Sequence, residues 1–302
     1  MKHNLKITLI LITMFLITQI IGLFVIISYQ KNSLPYGIEP PKEIDPVSSK
    51  VSIIFAFLIA LTLFFLLMKI KAETFIRLWF FTVTVIALGI SLNAIFFKLK
   101  LPNSSIIALI SGIFLSYAKI FKKNVTIHNL TELLIYPGIA AIFVPVIDVL
   151  GITLLLLLIS LYDIWAVWHT SFMQKMAEYQ IKNLKVFTGF FVPYIRKKDK
   201  KRIEELKEKY SKSQIKFEEN LKKSKIKISL AILGGGDVVF PIITAGVFYR
   251  FFGLIPSLII FLTALLALLF LLVFAKKEKF YPAMPFLTIG MYSGMIISWL
   301  FF

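Results

Sequence analysis

Cysteine is missing from all 302 residues. Its absence excludes a disulfide framework, a cysteine-based zinc or iron–sulfur site and a thiol nucleophile. Histidine is nearly absent. His3, His128 and His169 are the only three, and none forms an H-x-x-x-H pair, so the common zinc-peptidase signature is excluded as well. Charge is scarce, at 17% of residues against about 25% in a soluble domain. Acid is scarcer than base, with 16 Asp and Glu against 34 Lys and Arg and a net charge of +18. Apolar residues are abundant: 58% of the chain is hydrophobic and the mean hydropathy is +0.85. That composition excludes an ordinary soluble domain and a disordered chain. The positive charge suits nucleic acid or an anionic membrane surface, and its position must decide between them.

A helix crossing about 30 Å of hydrocarbon needs about 20 mostly apolar residues. Nine stretches qualify: Leu5–Ser28, Val47–Met68, Phe75–Phe97, Ser104–Phe121, Leu130–Val146, Ile152–Trp168, Ile228–Arg250, Leu254–Ala275 and Tyr281–Phe302. The fifth is interrupted by Pro137 and Pro145. The first is too long for a signal-peptide core and no small-x-small cleavage site follows it, so it is expected to remain as a span. With the N-terminus in the cytoplasm, the short loops place 11 Lys and Arg inside and 6 outside, so an N-in, C-out all-α bundle is expected. The segment from His169 to Lys227 carries 17 basic and 7 acidic residues and becomes a cytoplasmic loop. Within it, Thr170–Pro193 is expected to hold an interfacial helix using Met173, Met176, Ile181, Leu184 and Phe187. Arg196–Lys227 reads as a charged linker. The chain thus divides into residues 1–169 with six spans, the loop 170–227, and residues 228–302 with three spans. The loop shows no nucleic-acid-reading motif, and basic cytoplasmic loops are the norm in membrane proteins, so no nucleic-acid partner is expected. No long internal repeat is visible, which argues against a transporter of duplicated halves.

An Asp at the centre of a membrane helix costs about 2.5–3.5 kcal/mol on insertion scales, so an acid there is a functional candidate. Asp163 and Asp237 are the two candidates; Asp148 falls between spans and reads as an interfacial helix-start residue. Asp163 stands five residues before Trp168, about 8 Å from the inner end of its span, and Asp237 stands nine residues after Ile228, about 14 Å into the next. Two consecutive antiparallel spans can therefore bring both carboxyls to one level. Carboxyls a few Å apart cannot both ionise, so they share a proton, the arrangement of aspartic peptidases. A proton or ion relay uses acids in the same way, and from the acids alone both stay open. Three flanking features converge at the same depth. Tyr162 precedes Asp163. Gly234, Gly235 and Gly236 precede Asp237 in a G-x-G-D pattern. The last span opens with Pro282, Ala283, Met284 and Pro285, whose prolines keep backbone irregular. Irregular backbone survives at membrane depth only beside protein or a water-filled cavity.

These residues resemble the GxGD intramembrane aspartyl proteases of the presenilin and signal-peptide-peptidase superfamily. The match lies in Tyr162-Asp163, in Gly234-Gly235-Gly236-Asp237 and in Pro282-Ala283-Met284-Pro285, where Met284 replaces the leucine of the family's Pro-Ala-Leu element. The resemblance implies that Asp163 and Asp237 are the catalytic pair, and that Tyr162, the three glycines and residues 282–285 shape the site and hold substrate. It implies membrane-helix proteins or peptides as substrates, the lipid bilayer as surroundings, and neither metal nor cofactor. Archaeal members are similar in size, which points to a prokaryotic cell membrane; a homo-oligomer is compatible with the pattern. Prepilin-type peptidases are similar in carrying G-x-G-D but have fewer spans and no Pro-Ala-Leu element. An ion channel or transporter using the acids as a relay, and a non-catalytic scaffold that would tolerate their loss, are the competing classes. His169 reads as structural, and Trp165, Trp168 and Trp299 as packing or interface anchors.

Overall fold

The computed structural model describes residues 5–30, 32–38, 73–122, 124–169, 187–195, 228–275 and 281–301, with 55, 59, 62, 63 and 66. Eight helices among these residues are long and apolar enough to cross a membrane. They are α1 (Leu5–Tyr29), α2 (Glu73–Lys98), α3 (Ser104–Phe121), α4 (Val125–Phe143), α5 (Val149–Trp168), α6 (Gly235–Phe252), α7 (Leu254–Phe274) and α8 (Met284–Phe301). Phe55, Ile59, Thr62, Leu63 and Leu66 are helical. The rest of the expected second span, the charged linker and four of the five residues assigned to the interfacial helix lie outside the described residues.

Two caps explain where α4 and α5 begin. Asn124 accepts hydrogen bonds from the Thr126 and Ile127 amides at 2.8 and 3.3 Å. Helix α4 therefore starts five residues before the apolar run that announced it, taking in the polar turn containing His128 and Asn129. Pro137 is accommodated inside this helix, and Pro145 falls in the turn after it. Asp148 is the N-cap of α5, accepting from Gly151 N at 2.6 Å. That is the helix-start role expected of it.

Two expectations need correction. The stretch from Ile228 does not run as one helix to Arg250. Ile228–Gly234 is a strand, β2, and α6 begins at Gly235. Phe187 is not helical, and Gly189–Ile195 forms a second strand, β1. The two strands pair antiparallel from Gly189↔Gly234 to Ile195↔Ile228. The all-α bundle thus carries a small β-ribbon. Its strands are rich in aromatic and branched residues, which suit a pleated surface. Gly234 closes β2, and the two glycines that follow are poor helix propagators, at about 1 kcal/mol each relative to alanine.

Helix α1 packs on α4 and α6, α2 on α3 and α4, α6 on α4 and α7, and α8 on α5 and α7. One large core joins α1, α4, α5, the ribbon, α6, α7 and α8; it includes Phe15, Tyr136, Leu156, Phe190, Val238, Ile242 and Leu287. The outer faces are strongly apolar, with Phe114, Leu161, Leu266 and Ile296 all exposed, as lipid contact requires.

Candidate active site

Asp163 lies near the end of α5 and is only 6% exposed. It is held against the entry of α8: the Met284 amide donates to Asp163 Oδ2 at 3.0 Å, and the Ala283 amide faces the same carboxyl. Pro282 and Pro285 bracket this turn, so the chain enters α8 with free amides pointing at the carboxyl. One turn further along both helices, Ser160 Oγ donates to Thr288 Oγ1 at 2.7 Å. Lower down, Tyr292 Oη donates to the Thr153 carbonyl at 2.6 Å. These three contacts seat α8 along α5 in a single register.

Asp237 stands in the first turn of α6, where the positive end of the helix dipole favours negative charge. It is partly buried, and its carboxyl turns back over Gly234. Asp163 is close enough for its charge to act on Asp237. The carboxyls therefore converge, but the ribbon and a helix start deliver Asp237, rather than nine residues of helix. Pro241 has no N–H for the Asp237 carbonyl one turn earlier. The next carbonyl, that of Val238, accepts from Gln19 Nε2 of α1 at 3.0 Å.

The glycines have unequal surroundings. A Cβ on Gly235 would stand 2.9 Å from both Cε1 and Oη of Tyr136, a residue of α4 that is 2% exposed. A Cβ on Gly234 would stand 3.1 Å from Asp237 Oδ2. Gly236 is exposed and open: its Cβ would meet only Phe240, at 3.8 and 4.0 Å. Gly235 is small because α4 presses on it, whereas Gly236 leaves clear backbone beside Asp237. Tyr162 is half-buried next to Asp163, its ring 6.4 Å from that of Trp165. Met284 and Pro282 are buried, and Ala283 and Pro285 are partly so. His169 caps the end of α5, its amide bonding to the Trp165 carbonyl.

Sequence reasoning missed a second polar cluster beside the site. Glu132 of α4 is fully buried and pairs with Lys119 of α3, itself buried. His128 Nε2 lies 3.5 Å from Glu132 Oε1 and 2.8 Å from the Gly189 carbonyl. The Tyr136 hydroxyl sits beside Glu132 and within electrostatic reach of Asp237. The signal was an acid two residues inside the expected fifth span. Its partner, Lys119, likewise falls inside the expected fourth span, Ser104–Phe121.

The family described as signal-peptide peptidase, presenilin aspartyl protease matches residues 12–302. No curated protein matches the chain in sequence. A solved structure of a presenilin family intramembrane aspartate protease in C222 space group is similar at 18% identity with a TM-score of 0.61, covering 97% of this chain and 98% of that one. A second, in P2 space group, is similar at 18% identity with a TM-score of 0.60, covering 96% of each. At that identity the likeness concerns the fold.

Proposed function

The chain belongs to the signal-peptide peptidase, presenilin aspartyl protease family and is an intramembrane aspartyl protease, and from that premise we propose that Asp163 and Asp237 are its catalytic pair. The observation that carries this reading is the convergence of the two carboxyls from α5 and α6, with the entry of α8 hydrogen-bonded to one of them.

The pair holds one proton. The ionised member takes a proton from water, and the resulting hydroxide attacks the peptide carbonyl carbon. The protonated member donates to the carbonyl oxygen, giving a tetrahedral diol. Collapse of the diol breaks the C–N bond, with the proton passed to the leaving amine. The proton belongs to the pair, so neither residue is assigned a fixed role. The Met284 amide fixes one carboxyl in place, and the clear backbone at Gly236 lets a substrate strand approach.

A membrane-helix substrate has its peptide groups bonded internally and must unwind before water can attack. The unwound stretch pairs with the outer edge of β2. Leu230 and Ile232 of that strand are 48% and 41% exposed, and the strand runs directly into the turn carrying Asp237. The full chain has nine spans with its N-terminus and the basic loop in the cytoplasm and its C-terminus outside, a reading supported by the loop charges.

The test is cleavage of a model membrane-helix peptide in liposomes. Asp163→Ala and Asp237→Ala are each expected to abolish cleavage while the protein stays folded; full activity in either overturns the assignment. Reporter fusions at the loops test the topology.

A further inference from the structure

The β-ribbon has two edges, and among the described residues only one of them is covered. In β1, Gly189 and Phe191 turn their backbone groups away from β2 and towards α4. Asn129 uses both halves of its amide on Phe191: Nδ2 donates to the Phe191 carbonyl at 2.7 Å, and Oδ1 accepts from the Phe191 amide at 3.0 Å. One side chain thus reproduces the hydrogen bonding of a neighbouring strand. The Gly189 carbonyl meets His128 Nε2 at 2.8 Å, and the Gly189 amide points at Glu132 Oε1 at 3.5 Å. The next outward position is Pro193, which has no amide proton to offer. Three successive outward positions of β1 are therefore closed by three different means. The base of this clamp is rigid, because Glu132 is tied to the buried Lys119 and the His128 ring stacks on Phe191 with centroids 4.6 Å apart.

On β2 the alternation leaves Leu230, Ile232 and Gly234 facing outward. The Gly234 backbone meets the Asp237 carboxyl itself, whereas among the described residues no side chain is hydrogen-bonded to the backbone of Leu230 or Ile232. We propose that Asn129, with His128 and Glu132, is a positioning device for the protease: it closes the β1 edge and locks the ribbon to α4, so that substrate backbone can add only to β2 and in one register relative to Asp237. This rests on the reading of β2 as the substrate-binding strand given above. It goes further in naming the residues that select the edge and the bond that is cut. None of the three touches the substrate; they act through the ribbon. Loss of the clamp lets the ribbon shift against α4, and an antiparallel strand that slips changes which peptide bond faces the carboxyls.

The 302-residue chain contains no cysteine, so a single introduced thiol reports cleanly. Ile232→Cys is combined with Asn129 or with Asn129→Leu, and each protein is incubated with a membrane-helix peptide bearing one cysteine. Disulfide trapping reads the strand contact, and mass spectrometry of the product ends, with kcat and KM, reads the register. With Asn129 present, a disulfide between the introduced thiol and the substrate and one dominant product pair are expected. Asn129→Leu is expected to spread cleavage over neighbouring bonds and raise KM roughly tenfold, with a smaller change in kcat. If Asn129→Leu fails to fold, Asn129→Asp, which keeps the Oδ1 acceptor and loses the Nδ2 donor, carries the same readout at smaller amplitude. A purely structural role would lower yield and thermal stability but leave the product ends in place. If trapping succeeds in both backgrounds while product ends and KM are unchanged, the positioning role is overturned and the strand reading stands. If trapping fails with Asn129 present, the strand reading falls and this inference with it.

Discussion

Replacing Gly235 with alanine builds a methyl group into Tyr136. The new Cβ would stand 2.9 Å from both Cε1 and Oη, well inside van der Waals contact, and Tyr136 is packed edge-on against Phe190 with no free side to retreat to. Overpacking of this kind costs about 1–3 kcal/mol. The better helix propensity of alanine returns up to about 1 kcal/mol, and less at a helix start, so the net expectation is a loss of about 1–2 kcal/mol. Part of the strain moves the first turn of α6, and with it Asp237. Since a 1 Å misplacement can reduce turnover about a hundredfold, a shift of a few tenths of an ångström should lower kcat about tenfold. Gly236→Ala is the control. Its methyl meets only Phe240 at ordinary contact distance, so thermal stability should be unchanged or slightly higher. That methyl stands where substrate approaches, and KM should rise. Thermal unfolding in detergent and steady-state cleavage of a membrane-helix peptide measure both effects. Tyr136→Phe removes one of the two clashing atoms and should restore part of the loss in the Gly235→Ala background but not in the Gly236→Ala background, a coupling of about 1 kcal/mol. Equal stability and equal kcat for the two alanine variants would refute the packing assignment.

Glu132→Gln removes one charge from a fully buried ion pair and leaves Lys119 uncompensated; a loss of about 3–5 kcal/mol is expected, recovered in large part by combining Glu132→Leu with Lys119→Met, as read by thermal unfolding. Ser160→Ala alone should destabilise the α5–α8 contact by about 1 kcal/mol, because it leaves the Thr288 hydroxyl without the Ser160 partner, whereas Ser160→Ala with Thr288→Val should be nearly neutral. In the loop after α1, Tyr36 donates to the Ser105 carbonyl at 2.9 Å, and partial burial pushes its phenol up to about 12. The neutral phenol is the form the fold prefers, so its contribution is complete below the ordinary tyrosine range near 10 and is lost as pH rises towards 12. A spectrophotometric titration should show this phenol ionising after the exposed ones, and Tyr36→Phe should take one phenol's amplitude out of the late step.

How far the chain could be read from its residues depended on which physical signal each feature leaves. Long apolar runs announce membrane helices, because hydrocarbon thickness sets their length, and α2, α3, α5 and α7 lie within a few residues of expectation. Asp163, Asp237 and the Pro282–Pro285 entry were legible for a related reason: a charge or a broken helix inside such a run is expensive enough to demand a cause. The ribbon left no comparable mark. Ile228–Gly234 is apolar and merges with the apolar start of α6, and a run of that kind reads equally as buried strand or helix. Thirty-two residues separate it from its partner strand, beyond the reach of any periodicity. Glu132 was hidden for the opposite reason: hydropathy discards polar turns, yet the first turns of α4 are polar because they face the ribbon. The two omissions are one omission. Strand β1 needs side-chain partners for its outer backbone groups, and α4 supplies them, so recognising either element would have required the other. The same dependence explains why Asp237 stands just past the end of a strand instead of nine residues into a helix: its place is set by where the ribbon ends, and α4 sets the ribbon.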